Sequence, residues 1–364
     1  MKPARICISP LDWGLGHATR CIPIVNAFQS LGYEIFIATC GPQEIILRQA
    51  FPGAQFLPLR GYSIRYSKKA WLLFFTLLLQ IPKIGYAVLY EWLWLKKAQK
   101  KYQFDLIVSD NRFGFFHKNT PSVFITHQLR LQTPFNYTSN LYQRILYRCL
   151  KNYQACWIPD MQAAPGFSGN LAHPIQMPRI PYWYMGLLSR LYPFAKPIVA
   201  DDQNEIEFLA IVSGPEPQRS IFEKQLWDQG NALGKKFVLV AGLPENSTNT
   251  KQSNCGKWFH HLSGAELVEQ IQNAKYIICR GGYTSLMELA GFEKKLILVP
   301  TPGQTEQIYL AKIWVENNWA IQVEAKELNV QAALAKASQS VYKTVPAIPF
   351  STSALAAALK PLTL

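Results

Sequence analysis

Cys279-Arg280-Gly281-Gly282-Tyr283-Thr284-Ser285-Leu286-Met287-Glu288 and, a little further on, Val299-Pro300-Thr301-Pro302-Gly303-Gln304-Thr305-Glu306-Gln307 decide the fold. The first stretch reads as the end of an apolar strand, a glycine turn and a helix carrying a carboxylate. The second reads as a strand end, a polar loop and another helix. A helix start offers unpaired N–H groups and a partial positive charge. Glycines let a phosphate come close to such groups. Thr284 and Ser285 are favoured N-cap residues. Glu288, one turn inside the helix, is placed to accept hydrogen bonds from a sugar hydroxyl pair. A bland reading, a well-capped helix with a surface glutamate, stands beside this one.

Outward from that point the chain repeats the strand–helix rhythm. Strands are expected at Glu207–Val212, Phe237–Ala241, Lys257–His260, Tyr276–Cys279, Leu296–Val299 and Ala320–Val323. Helices are expected at Gln218–Leu233, Ala265–Asn273, Ser285–Gly291, Glu306–Asn317 and Asn329–Val341. The first half alternates similarly: strands at Arg5–Ser9, Tyr33–Thr39, Ala54–Leu57, Phe104–Ser109, Ser122–Thr126 and Ala155–Ile158, with helices at Ala18–Leu31, Pro42–Ala50 and about Asn140–Asn152. Alternation of this kind implies parallel sheets covered on both faces. The fold class is therefore α/β with two doubly wound domains. The expected division is 1–185, a linker at 186–205 within a proline-dense stretch, 206–345, and a helical tail at 346–364.

Ligands of such sheets bind beyond the C-terminal ends of the strands. In the first domain that edge carries Gly14, Gly16 and His17 after the first strand. It also carries Asp110 after the strand ending at Ser109, and His127-Gln128 after Thr126. The helix dipole disfavours an imidazolium at a helix start, and a neutral imidazole is what a general base requires. Asp110 is a candidate to orient His17; turn formation is its ordinary alternative. In the second domain the edge carries Ser213 and Gly214, although Pro215 and Pro217 remove nearby N–H donors. It also carries the Arg280–Glu288 stretch and Gln304, Glu306 and Gln307.

The chain has 364 residues and a net charge of +14, which favours anionic partners. No arginine-rich run or basic–aromatic interleaving is present, so nucleic acid is not expected as a partner. Seven cysteines scattered without CxxC spacing argue against a disulfide framework or zinc site and for a reducing compartment. There is no DxD, HExxH or acidic cluster of metal spacing, so no metal and no cofactor is expected. The apolar run Trp71–Ile81 and the following segment to Leu95 are interrupted by Gln80, Lys83 and Glu91. A spanning helix needs ~20 apolar residues, and a central lysine alone costs roughly 2.5–3.5 kcal/mol. A span is therefore rejected. Burial of a helix pair, or contact of residues 71–95 with a membrane surface through an apolar face flanked by Lys68, Lys69, Lys96, Lys97, Lys100 and Lys101, both remain open.

Two doubly wound domains, Gly14-x-Gly16-His17, and Arg280-Gly281-Gly282 through Glu288 to Glu306-Gln307 together resemble a GT-B glycosyltransferase. The likeness is greatest to glycosyltransferase family 28 (MurG-like) and to related bacterial and archaeal glycosyltransferases. The resemblance implies two Rossmann-like domains facing a central cleft. The first would bind the acceptor through Gly14, Gly16, His127 and Gln128, with His17 as base. The second would bind a UDP-sugar: Glu288 on the ribose, Ser213, Gly214, Arg280, Gly281, Gly282, Thr284 and Ser285 around the diphosphate, and Gln304, Glu306 and Gln307 at the sugar. It implies inverting, metal-independent transfer of a hexose-type sugar to an acceptor hydroxyl on a lipid or small molecule, in the cytoplasm or at the inner face of the cell membrane. Alternatives are a non-transferring relative such as a UDP-sugar 2-epimerase, or a non-catalytic, membrane-associated nucleotide-sugar-binding subunit.

Overall fold

The computed structural model describes residues 3–64, 79–133, 136–195, 206–246 and 249–362. Among these, one compact unit takes in the chain up to Ser189 and again from Ala347 onward, and the other spans Arg190–Pro346. Residues 71–78 of the apolar run and residues 196–205 of the expected linker lie outside the described residues, as do Lys68 and Lys69.

The first unit runs β1 (Arg5–Pro10), α1 (Leu15–Ser30), β2 (Glu34–Thr39), α2 (Pro42–Ala50), β3 (Gln55–Pro58), α3 (Ile81–Tyr102), β4 (Leu106–Asp110), β5 (Ser122–Ile125), α4 (Asn136–Leu150), β6 (Ala155–Ile158) and β7 (Tyr182–Tyr184). All seven strands are parallel, in the order β3-β2-β1-β4-β5-β6-β7. The order reverses between β1 and β4, which makes the loops after these two strands the switch point where ligands of such sheets bind. Strand β7 was not foreseen. It lies in the proline-dense stretch, and at three residues on a sheet edge it has too little alternation to read.

Helix α1 starts three residues earlier than its apolar periodicity indicates. Gly14 is its N-cap with φ +148°, a value that suits glycine. Gln43, at the start of α2, donates from Nε2 to the carbonyls of Leu11 (2.5 Å) and Gly14 (2.7 Å), which ties the loop after β1 to the next helix. Asp12 accepts from the amides of Tyr62 (2.8 Å) and Ser63 (3.0 Å). The loop carrying His17 is thus held from two sides.

The second unit runs β8 (Ile206–Ile211), α5 (Gln218–Leu233), β9 (Phe237–Val240), β10 (Thr250–Gln252), β11 (Gly256–Phe259), α6 (Gly264–Asn273), β12 (Ala274–Cys279), α7 (Tyr283–Leu289), β13 (Lys295–Leu298), α8 (Thr305–Glu316), β14 (Ala320–Gln322) and α9 (Val330–Gln339). Its sheet order is β10-β11-β9-β8-β12-β13-β14, parallel except for the short edge strand β10. The reversal falls between β8 and β12, so Ser213-Gly214 and Arg280-Gly281-Gly282 leave the switch point. After Pro346 the chain returns to the first unit, where α10 (Thr352–Leu359), capped by Ser351, packs on α1.

Helix α3 resolves part of the apolar-run question. Leu95 and Ala98 face the core, with Cys7, Phe36 and Ile107. Glu91 also points inward, only 1 % exposed, and accepts from Arg112 Nη1 (2.6 Å), Tyr62 Oη (2.9 Å) and the amide of Gly114 (3.1 Å). Ile81, Tyr86, Leu89 and Leu93 lie on the exposed side. The described part of the run is thus neither wholly buried nor a span; among the described residues no helix is long and apolar enough to cross a membrane.

Asp160, just after β6, is fully buried and accepts from the amides of Met161 (2.6 Å) and Phe167 (3.1 Å) and from Ser168 Oγ. Burial pushes its carboxyl up to about 6 despite those bonds. The folded chain therefore holds this proton more tightly than the unfolded one. Stability falls as pH rises from about 4 to about 6, by roughly 3 kcal/mol. Asp160→Asn should flatten that dependence in urea melts at about pH 4 and about pH 7; an unchanged pH slope would refute it.

Candidate functional site

In the first unit, the edge loops bring His17, Asp110 and His127 together around a residue that no motif in the sequence marks, Arg20. Arg20 lies one turn beyond His17 on α1 and is 1 % exposed. Its Nε donates to Asp110 Oδ2 (2.9 Å) and its Nη2 to Asp110 Oδ1, a bidentate pair. Arg20 Nη1 is 3.0 Å from His127 Nδ1, and Nη2 is 2.8 Å from His17 Nδ1. Asp110 Oδ2 is 3.1 Å from the same His17 nitrogen, and the Cys21 thiol lies 3.8 Å from that oxygen. Burial alone would raise the Asp110 carboxyl, but the charge of Arg20 first, and then its contacts with His17 and Arg20, outweigh it and leave it at about 2. Asp110 is therefore a fixed anion across the neutral range. Arg20 was legible in one respect: it is the one arginine or lysine in the α1 sequence, which carries no aspartate or glutamate.

Gly14 has open space where a Cβ would stand, so its backbone is approachable. Gly16 lies in the first turn of α1, where its carbonyl accepts from Thr19 Oγ1 (3.2 Å). Gln128 follows His127 and donates its amide to Thr126 Oγ1 (3.0 Å).

In the second unit the expected residues gather on three neighbouring loops, after β8, β12 and β13. Ser213 is half-buried and Gly214 exposed, with φ +107°. A Cβ on Gly214 would meet only Thr301 Oγ1, at 3.7 Å. Gly282 is the N-cap of α7, so the expectation that Thr284 or Ser285 caps this helix is corrected. Both lie inside its first turn, because the helix begins two residues early and no side chain caps it. Gly281 has a packing reason of its own: a Cβ there would stand 3.0 Å from the Gln307 carbonyl of α8.

Arg280 points inward. Its Nη1 donates to the carbonyls of Val299 (3.0 Å) and Pro300 (3.4 Å), its Nη2 to that of Gln218 (3.1 Å), and its guanidinium lies 3.9 Å over the ring of Phe222. Burial lowers it to about 10, still cationic at neutral pH. Its side chain fastens the three loops together. Gln307 braces the last of them: its Oε1 accepts from the Thr301 amide (2.8 Å) and its Nε2 bonds Gln304 Oε1. Glu306 stands in the first turn of α8.

Glu288 has a partner not foreseen from the sequence, Arg190, whose Nε is 3.2 Å from Oε1. His261 completes this group. Burial first, and then the Arg190 charge, lower its imidazole to about 4, so it is neutral at physiological pH. Arg190 lies in the proline-rich stretch, far from Glu288 in sequence, and no local pattern marks it. A separate cavity of about 760 Å³ opens beside α5, with Arg219, Trp227, Lys251, Trp258 and His260 in its wall; none of the donor-site residues named from the sequence lines it. Among the described residues no group of three His, Cys, Asp or Glu side chains is placed to hold a metal ion.

Two Rossmann-like parallel sheets with these switch points define a GT-B fold. Residues 221–354 match the family model of the glycosyltransferase family 28 C-terminal domain, and the chain is similar to that family. Solved structures agree on the fold. The glycosyltransferase SnogD from Streptomyces nogalater superposes with a TM-score of 0.61 at 13% identity, over 99% of this chain and 100% of that one. The spinosyn rhamnosyltransferase SpnG complexed with thymidine diphosphate gives 0.57 at 14%, over 92% and 89%. A putative UDP-N-acetylglucosamine 2-epimerase from Listeria monocytogenes gives 0.60 at 10%, over 100% and 98%. A search of curated proteins finds no match.

Proposed function

We propose that the protein is a glycosyltransferase that moves a sugar from a nucleoside diphosphate donor, UDP-sugar in the first instance, to an acceptor hydroxyl with inversion and without a metal. One observation carries this reading. Two approachable turns, Ser213-Gly214 and Gly282, and a partly buried carboxylate, Glu288, share the C-terminal edge of a sheet whose domain matches a glycosyltransferase family.

In this reading the backbone amides of the two turns receive the diphosphate and stabilise the charge that grows on it as the bond to the sugar breaks. Arg280 takes no direct part; it keeps the three loops in register. Glu288, oriented by Arg190, accepts from the ribose hydroxyls, and Gln304 and Glu306 meet the sugar, with Gln307 holding their loop. On the first unit His17 takes the acceptor proton. That requires a lone pair on Nε2 and hence a proton on Nδ1, with Asp110 as its acceptor.

Glu288→Ala should weaken nucleoside diphosphate binding about 10- to 100-fold, the value of a hydrogen bond to a charged group. Isothermal titration with UDP and thymidine diphosphate checks this, and unchanged affinity removes Glu288 from the site. UDP release from a UDP-sugar only when a membrane extract is added separates transfer from simple binding. A 2-epimerase, the activity that the name of one structural neighbour carries, would interconvert the sugar with no acceptor present.

A membrane-borne acceptor fits the outer layer of the first unit. Cys7 pairs in register with Ile107, Ser109 with Phe124, and Phe124 with Cys156, so α3 and α4 cover one face of the sheet. Outward, α3 exposes Tyr86, Leu89 and Leu93, and α4 exposes Tyr137, Leu141 and Ile145. Lys83, Lys96, Lys97, Arg144 and Arg148 are exposed beside them. Each basic residue near an anionic leaflet contributes about 1 kcal/mol. Vesicles with anionic lipid should therefore sediment the protein, and neutral vesicles should not; equal partition to both would remove the basic residues from the account.

A further inference from the structure

The Arg20 guanidinium sits at the centre of a three-way competition. An arginine has five N–H donors and no acceptor, so any imidazole nitrogen it bonds must offer a lone pair. His127 Nδ1 lies 3.0 Å from Nη1. A neutral His127 in that bond carries its proton on Nε2. His17 Nδ1 has two suitors of opposite demand. Bonding to Arg20 Nη2, at 2.8 Å, needs a lone pair on that nitrogen; bonding to Asp110 Oδ2, at 3.1 Å, needs a proton. One nitrogen cannot meet both at once. Both oxygens of Asp110 already accept from Arg20, through Nε and Nη2. The shorter contact favours Arg20.

We propose that Arg20 is a positioning residue that sets the tautomer of both histidines, holding each as the Nε2–H form in the unliganded protein. His17 then becomes a base only when its Nδ1 passes from Arg20 to Asp110. In that exchange the ring loses the Nε2 proton to solvent and gains one at Nδ1, with no net change. This consequence rests on the transferase reading, in which His17 is the base; the tautomers themselves do not.

Arg20 lies on α1 and Asp110 ends β4, while His127 follows β5. Three separate elements meet at one guanidinium, and its planar fork allows several bonds at fixed angles where a lysine offers a single point charge.

The test is long-range ¹H–¹⁵N spectroscopy of the full-length protein labelled at histidine nitrogens, without substrate, with His17→Gln and His127→Gln used for assignment. The expected spectrum shows a protonated Nε2 and an unprotonated Nδ1 on both rings at neutral pH. A proton on Nδ1 of either ring overturns the proposal. Arg20→Lys should then move His17 to the Nδ1–H form bonded to Asp110. An Arg20→Lys protein that folds with both tautomers unchanged also overturns it. If Arg20→Lys does not fold, the wild-type spectrum still decides. Failure of UDP binding would instead strike the transferase reading and leave this result standing.

Discussion

His17→Ala should lower turnover by about 100- to 10,000-fold, the usual contribution of a positioned general base, and leave nucleotide affinity unchanged. His17 stands in the first unit, at the start of α1, and every residue proposed to hold the donor stands in the second. The substitution therefore leaves the proposed donor residues themselves in place. The substituted side chain is only partly buried and contributes little to the core, so folding should survive. Steady-state rates with a UDP-sugar and acceptor extract, paired with UDP titration, check both halves. A fall in UDP affinity with turnover intact would place His17 at the donor and remove it as the base. Asp110→Asn is a less clean probe, because it also strips Arg20 of its buried counter-charge.

The second large effect is on stability. Glu91→Ala should cost about 3–5 kcal/mol, because it leaves Arg112 as an uncompensated charge in the interior. Arg112 is fully buried, with Nε bonded to the Pro10 carbonyl (2.7 Å) and Nη1 within 3.3 Å of the Arg60 carbonyl. These carbonyls cannot replace a carboxylate. Tyr62 Oη and the Gly114 amide would lose their acceptor as well. Glu91→Gln should cost less, since the amide oxygen can still accept from Arg112. Urea unfolding of the two variants reads the difference directly. A cost for Glu91→Ala below about 1 kcal/mol, within the range of an exposed ion pair, would mean that water reaches the site.

That glutamate shows where linear reading reaches its limit. In the sequence, Glu91 is a polar interruption in an apolar run and counts against a membrane span. The inference about the span agrees with the described part of α3, but the residue's actual partner, Arg112, stands on a loop after a strand that only the folded sheet brings near. Arg190 and Glu288 repeat the lesson, and so does Arg20 with His127. In each pair the two residues belong to different elements, and their spacing along the chain carries no period that could reveal the contact.

Helix boundaries failed for a related reason. Apolar periodicity and hydroxyl residues point to α1 and α7 starting at Ala18 and Ser285. Both helices begin earlier, directly after glycines: Gly14, whose carbonyl accepts from Gln43, and Gly282, beside the Gly281 that packs against α8; no side chain caps either helix. Pro42–Ala50, Gln218–Leu233 and Ala155–Ile158, in contrast, were read to the residue, since proline, glycine or strong periodicity marks their ends locally.

The amino-acid order alone determined the alternation of strands and helices, the two parallel sheets and the loops on which glycines, histidines and carboxylates stand. Those properties follow from side-chain periodicity and turn chemistry, which act over a few residues. Folding in three dimensions decided the rest: that the end of the chain returns to the first unit, that Arg280 faces inward, that Arg190 holds Glu288, and that one buried guanidinium joins Asp110 to two histidines. Each depends on strands distant in sequence lying side by side, because hydrogen bonds and ion pairs are made over a few ångströms of space, whatever the length of chain between the partners.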